Sequence, residues 1–252
     1  MSFNDKVVIV TGASSGIGAA IAVEFSGLGA KVTIVGRNEK NLNEVAKKCK
    51  SPLQIVADVT NENDLKKIVN ETVKHFGKID ILINNAGMSL LSSILAENAI
   101  EIFDKVMNTN LRSTVYLTHL AAPHIIKTKG NIINISSICG LAVLAKDLFA
   151  YNTSKAAMDH FTRSIASELA SSGVRVNSVN PGPVKTNFIE NMGLAKKEQV
   201  DATYDHIALT TALGRVSGAE EIADLVTFLA SDKARAITGA VFVSDNGSLV
   251  KV

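Results

Sequence analysis

The sequence predicts an α/β protein: a Rossmann-type doubly wound parallel sheet of about seven strands with helices on both faces. Three observations predict it. Short β-branched runs recur along the chain, and most are followed by a stretch of helical period. The first run, Val7-Val8-Ile9-Val10, leads directly into the glycine-rich stretch Thr11-Gly12-Ala13-Ser14-Ser15-Gly16-Ile17-Gly18 and then into Ala19–Phe25, which has helical character. There is no internal repeat, low-complexity segment or linker composition, so residues 1–252 read as one domain.

Bulk properties narrow the classes. The 252 residues are 46% hydrophobic and 20% charged, enough for a full core around one large sheet. The 26 basic and 24 acidic residues leave a net charge of +2, which gives no case for nucleic acid. Pairs such as Lys47-Lys48 and Lys196-Lys197 read as solvated helix faces. Cys49 and Cys139 are far apart and form no CxxC, which fits a reduced, cytoplasmic compartment. Met1–Asp5 has no basic n-region or apolar run, and no apolar stretch reaches ~18 residues, so neither a signal peptide nor a membrane span is expected. His119 and His124 are five apart and the other three histidines are scattered, so no metal site is expected.

Residues 6–10 read as the first, buried parallel strand. The loop after it has the spacing G-x-x-x-G-x-G, through Gly12, Gly16 and Gly18 with Ser14, Ser15 and Ile17 between them. Strand, glycine turn and helix bring backbone N–H groups and a positive helix end to where a pyrophosphate can sit. No Lys-Ser/Thr pair follows, which argues against a nucleoside triphosphate loop. Residues 32–35 are the second strand. An NAD-binding unit places a carboxylate ~20 residues beyond its glycine loop, for the ribose 2′-hydroxyl. Here Gly36 stands there, followed by Arg37. A missing carboxylate beside a guanidinium suits a 2′-phosphate, so NADP(H) is the expected cofactor. Asn38 is placed to cap the helix that carries Leu42, Val45 and Ala46.

Residues 53–57 form the third strand, with Asp58-Val59 after it. Residues 61–76 read as a helix with Leu65, Ile68, Val69, Val73 and Phe76 on one face, stopped by Gly77. Residues 79–83 are the fourth strand and run into Asn84-Asn85-Ala86-Gly87. Residues 97–127 read as one long helix. Asn110 lies inside it, and a mediocre helix former there invites an explanation. Ile132-Ile133, after Gly130, marks the fifth strand, which leads to Ser136-Ser137. Residues 150–172 read as a helix ended by Gly173; residues 174–180 alternate as the sixth strand. Pro181-Gly182-Pro183-Val184-Lys185-Thr186 makes a stiff turn. Residues 187–213 have no clear period, 218–229 are a short helix, and 240–243 are the last strand.

The chemistry concentrates in Tyr151-Asn152-Thr153-Ser154-Lys155. Helical spacing puts Tyr151 and Lys155 one turn apart on one face. A phenol has a pKa of about 10, and an ammonium held close lowers it. So tuned, it can exchange a proton with a carbonyl or alcohol oxygen. Ser137, at a strand end, can hydrogen-bond the same oxygen.

Glycine loop, Ser137 and Tyr151-x-x-x-Lys155, in this order, resemble the short-chain dehydrogenase/reductase family, over residues 6–247. The resemblance implies that Lys155 also holds the nicotinamide ribose and that Asn110 holds a water near Lys155. It implies that Asp58 and Val59 meet the adenine, that Asn85, Ala86 and Gly87 lie beside the cofactor, and that Pro181, Gly182, Val184 and Thr186 meet the nicotinamide. It further implies a homotetramer. There are two departures. The spacing from Ser137 to Tyr151 is one residue longer than the family pattern, and the closing Asp-Gly-Gly reads Asp245-Asn246-Gly247.

The expected function is therefore NADP(H)-dependent reduction of an apolar, small-molecule ketone, or secondary-alcohol oxidation in reverse. Substrates such as 3-oxoacyl thioesters, steroids, retinoids and small ketones all fit this scaffold, since fold does not name substrate. Residues 187–213, which mix Phe188, Ile189, Met192, Leu194, Ile207 and Leu209 with charged residues, are expected to form a substrate lid. A non-catalytic NAD(P)-binding sensor or scaffold is the alternative from another class, and the intact Ser137, Tyr151 and Lys155 argue against it.

Overall fold

The computed structural model describes residues 1–191 and 199–251. Strand β1 (Val7–Thr11) is buried along its whole length, as its β-branched composition demands. It lies between β2 (Lys31–Gly36) and β4 (Ile81–Asn84), with Val8 in register with Val32 and Ile81. With β3 (Leu53–Val56), β5 (Asn131–Ile135), β6 (Arg175–Pro181) and β7 (Val241–Ser244), these strands form one sheet in the order β3-β2-β1-β4-β5-β6-β7. Every pairing is parallel. The order reverses between β1 and β4, so a crevice opens beyond their carboxyl ends, where such folds bind ligands.

Both sheet faces are covered. On one, α1 (Gly16–Gly27) packs against α9 (Ala219–Ala230), burying Ile21, Phe25, Ile222 and Val226. On the other, α3 (Glu62–Phe76) packs against α5 (Ser113–Thr128), burying Leu65, Ile68, Leu117 and Ile125. Asn38 caps α2 (Glu39–Ala46) as expected, accepting from Asn41 N–H at 3.0 Å. The sheet centre is braced by amides. Asn84 Nδ2 donates to Asn134 Oδ1 at 2.9 Å and to Thr118 Oγ1 at 3.2 Å, and Asn134 Nδ2 donates to Thr162 Oγ1 at 2.9 Å. These buried side chains are satisfied by one another, the condition for keeping them in a core.

Three expectations are corrected. The long helix at 97–127 is two helices joined by a wider turn: α4 (Ala99–Met107), a π-helical turn at Asn108–Arg112, and α5. Within and just after that turn the side chains bond to the backbone. Ser113 Oγ donates to Thr109 O at 2.6 Å, and Thr114 Oγ1 donates to Asn110 O at 3.0 Å. The helix at 150–172 is α6 (Phe149–Leu169) with a tighter 3₁₀ turn, Ala170–Ser172, at its end. The stretch 187–213, read as lacking a period, contains α7 (Phe188–Asn191) and α8 (Val200–Ala208), too short to show one. Residues 192–198 of the expected lid lie outside the described residues. At the C-terminal turn Asn246 takes φ +52°, a left-handed conformation that Asn tolerates where the family pattern has Gly. No helix among the described residues is long and apolar enough to cross a membrane.

Candidate active site

The loop between β1 and α1 is shaped by how close other atoms come. Gly16 has φ +54°, and a Cβ there would lie 3.1 Å from Thr186 Cγ2. At Gly18 a Cβ would lie 2.4 Å from Gly12 O and Asn85 Nδ2, so only glycine lets α1 start against the loop. Asn85 Nδ2 holds the loop by donating to Thr11 O at 2.9 Å and Gly12 O at 3.3 Å. Ser15, the N-cap of α1, makes no side-chain cap bond, and the first turn carries no acidic residue. An uncapped, uncharged helix start of this kind suits an anion.

A cavity of about 740 Å³ runs along the carboxyl edge of the sheet. Gly12, Ser14, Ser15, Gly16 and Ile17 line its floor, and Gly36, Arg37, Asp58 and Val59 one end. Asn85, Ala86 and Gly87 line the middle; Pro181, Gly182, Val184 and Thr186 lead to the far end, where Ser137, Tyr151 and Lys155 meet. Of the expected residues only Gly18 and Asn110 stand outside this lining. An extended dinucleotide fits such a trough, with a glycine cradle that a Cβ would fill at its centre. Arg37 is exposed, with NH1 3.9 Å from Asp58 Oδ2. Burial works to raise the Asp58 carboxyl, but hydrogen bonds from Thr60 and the Arg37 charge outweigh it and hold it below its ordinary value.

At the far end α6 carries Tyr151 and Lys155, both buried. Lys155 Nζ lies 5.6 Å from the Tyr151 ring centroid and donates to Ile135 O at 2.8 Å. Burial lowers Lys155 to about 8, while Asp159 and Cys139 act to raise it. Burial pushes Tyr151 above its ordinary value; Cys139 adds to this and a hydrogen bond with Ser137 opposes it. The expectation that Lys155 draws the Tyr151 pKa down is thus corrected: desolvation dominates and the net direction is up. Ser137 Oγ accepts from Cys139 N–H at 3.1 Å, and its own proton can go to the Tyr151 oxygen. Burial raises the Cys139 thiol above its usual range.

Asn110 is tied into the site by its amide. Its Oδ1 accepts from Met88 N–H at 2.8 Å, and its Nδ2 donates to Met88 O at 2.9 Å and Ser154 Oγ at 3.0 Å. Fully buried and with these three bonds made, the side chain stitches the π-turn to α6 and to the loop after β4. Gly87 sits between the groups, since a Cβ there would lie 3.4 Å from Asn110 Oδ1 and 3.6 Å from Lys155 Nζ.

Sequence reasoning missed Tyr204. From α8 its hydroxyl accepts from Thr186 N–H at 2.9 Å and donates to Thr186 O at 2.7 Å or Val184 O at 3.1 Å. Lys185 pairs with Asp201 of the same helix at 2.7 Å. A lone Tyr in an aperiodic stretch gave no signal. Met88, Thr109, Leu144, Leu148, Phe188, Ile189 and Ile207 also line the cavity.

The reversal in strand order, the glycine cradle and the buried Tyr–Lys turn define the class: an oxidoreductase on a dinucleotide-binding fold. The chain belongs to the short-chain dehydrogenase/reductase family, whose members use nicotinamide cofactors. A family model described as enoyl-(acyl carrier protein) reductase matches residues 12–248. The chain is 38% identical over 215 residues to an uncharacterized oxidoreductase of Staphylococcus epidermidis, covering 84% of this chain and 93% of that protein. It is 36% identical to L-fucose dehydrogenase of Bos taurus, covering 90% and 83%. Among solved structures it is similar to a short-chain dehydrogenase/reductase of unknown function from Caenorhabditis elegans, with cofactor: TM-score 0.93, 36% identity, 99% and 97% covered.

Proposed function

We propose that this protein reduces an apolar ketone with NADP(H), or oxidises the corresponding secondary alcohol in reverse. The observation that carries the reading is the convergence of the Ser137 and Tyr151 hydroxyls and the Lys155 amine at one end of a trough shaped for a dinucleotide. The bound cofactor supplies or accepts the hydride. Ser137 turns its proton to the substrate oxygen and orients it, while its Oγ keeps the Cys139 N–H bond. Tyr151, kept protonated by burial, gives the proton in the reductive direction. Lys155 contributes positive charge beside the ring and reaches toward the ribose. Arg37, next to Gly36, receives the 2′-phosphate, which favours NADPH over NADH. The apolar walls around Leu144, Leu148, Phe188 and Ile207 suit an apolar substrate and exclude water from the reacting oxygen.

Turnover with NADPH and NADH against a panel of ketones, sugars and 3-oxoacyl thioesters tests this. NADPH-dependent reduction of apolar ketones is the expected result. Cofactor binding without turnover of any carbonyl or alcohol would overturn it in favour of a binding protein. Residues 187–213 are proposed as the lid, so hydrogen exchange there slows when cofactor and substrate analogue bind together; unchanged exchange beside a protected glycine loop would remove that assignment.

A further inference from the structure

One charged group beneath the Tyr151–Lys155 turn has no part in this chemistry. Asp159 lies one turn beyond Lys155 on α6 and is 2% exposed. Its Oδ2 accepts from Asn180 Nδ2 at 2.7 Å. Its Oδ1 lies 3.3 Å from the Ser178 hydroxyl, whose proton can go instead to Asn180 Oδ1 at 3.0 Å. Asn180 Nδ2 donates a second bond, to Ser137 O at 2.9 Å. The 3₁₀ turn Ile138–Gly140 closes over the group: a Cβ at Gly140 would lie 3.0 Å from Asp159 Oδ2.

Asn180 and Ser178 are neutral, and a buried carboxylate with only neutral partners is costly unless an opposite charge is near. Lys155, four residues back on the same helix face and equally buried, makes no direct ion pair with Asp159 but is the buried opposite charge that acts on it through space. The titratable groups acting on the lysine are Asp159 and, from the 3₁₀ turn, Cys139. Tyr151 lies on its own helix. From β5 it meets the neutral carbonyl of Ile135, and β6 offers only neutral side chains around Asp159.

We propose that Asp159 is a positioning residue, the buried counter-charge of Lys155, which also fixes the backbone of Ser137 through Asn180. The inference rests on the reading of Ser137, Tyr151 and Lys155 as the catalytic group. It predicts coupling between Lys155 and Asp159 that a merely space-filling aspartate lacks.

A double-mutant cycle in urea unfolding needs no turnover. Lys155→Met strands a buried carboxylate and Asp159→Asn an uncompensated ammonium, so the double variant should lose less stability than the two singles together. Additive losses would overturn the proposal. If Asp159→Asn does not fold alone, a folded double variant supports the coupling and an unfolded one overturns it. The second readout is the pH profile. In wild type a limb set by loss of the Lys155 proton is expected well below the ordinary lysine range, where burial places the group. Asp159→Asn should move it down by ~1 unit, because removing an opposite charge disfavours the ammonium; Asp159→Glu should restore it. A uniform fall in rate with the limb unmoved counts against the proposal. A wild-type protein with no turnover would end the functional reading, while the unfolding cycle would still decide on Asp159.

Discussion

Tyr204→Phe isolates the tie between α8 and the turn at Val184–Thr186. The change removes one oxygen and keeps the ring, which is 3% exposed. It leaves the Thr186 N–H, bonded at 2.9 Å in the native protein, without its acceptor, and frees the Thr186 and Val184 carbonyls. An orphaned buried donor costs ~1–3 kcal/mol. Thr186 is only half-buried, so water can reach part of the site and the lower half of that range applies. A loss of ~1–2 kcal/mol lowers the melting temperature by ~2–8 °C in a chain of this size. The same turn lines the proposed nicotinamide end, so KM for NADPH should rise by ~3–10-fold, the equivalent of about 1 kcal/mol. Thermal unfolding and an NADPH titration followed by cofactor fluorescence measure the two effects. Unchanged melting and unchanged KM would show that the hydroxyl does not hold the turn.

Tyr151→Phe should lower kcat by at least ~10²-fold, the low end for positioned acid–base catalysis, with NADPH still bound; near-normal steady-state turnover would remove the phenol from the mechanism. Gly36→Asp should narrow or reverse the NADPH preference in kcat/KM, and should also slightly disturb the loop, since the new Cβ lies 3.0 Å from Ser14 Cβ; an unaltered cofactor ratio would contradict the Arg37 assignment. The bidentate Arg215 pair and the Gly218 N–H hold Glu221 at about 2, below its ordinary 4.5. A depressed carboxylate stabilises above its unfolded value and loses that as pH falls toward its folded one. Glu221→Gln should therefore be less stable than wild type at pH 7 by only ~0.5–1 kcal/mol, because the pair is surface-exposed, with the gap closing between about pH 4.5 and 2; a gap independent of pH would refute it. The homotetramer implied by the family resemblance is tested by light scattering at micromolar concentration; a monomer there would reject it.

What was legible in the sequence followed from local rules. β1, β2 and β4 were readable because a strand buried on both faces must be apolar throughout, and Gly12–Gly18 because the spacing of small residues after a strand is set by backbone approach. Tyr151 and Lys155 were readable because their spacing matches one helical turn. Asn110 was singled out correctly as an oddity, but its partners, Met88 and Ser154, come from distant segments that no local pattern brings together. Tyr204 was invisible for the same reason, since it acts through Thr186, 18 residues away; Asp159 stands one turn from Lys155, but its burial and its bond to Asn180, 21 residues away, leave no local trace. The direction of the Tyr151 shift was missed because spacing reveals the ammonium but not the depth of burial.

The π-turn at Asn108–Arg112 makes residue count, more than residue identity, the sensitive quantity in its helix. An α-helix advances about 100° per residue, so one added residue changes which side of everything downstream faces inward. The turn absorbs that phase: α4 lies against α6, while α5, past the turn, lies against α3 and sets Leu117, Ala121 and Ile125 into the core. Cutting one residue from the turn would close it to an ordinary α-helical turn and leave that apolar row close to its seat. The same deletion within α5 would find no such slack and would swing every later side chain of the helix by about 100°, whereas one in the exposed stretch near Ile94 and Leu95 would touch only a loop.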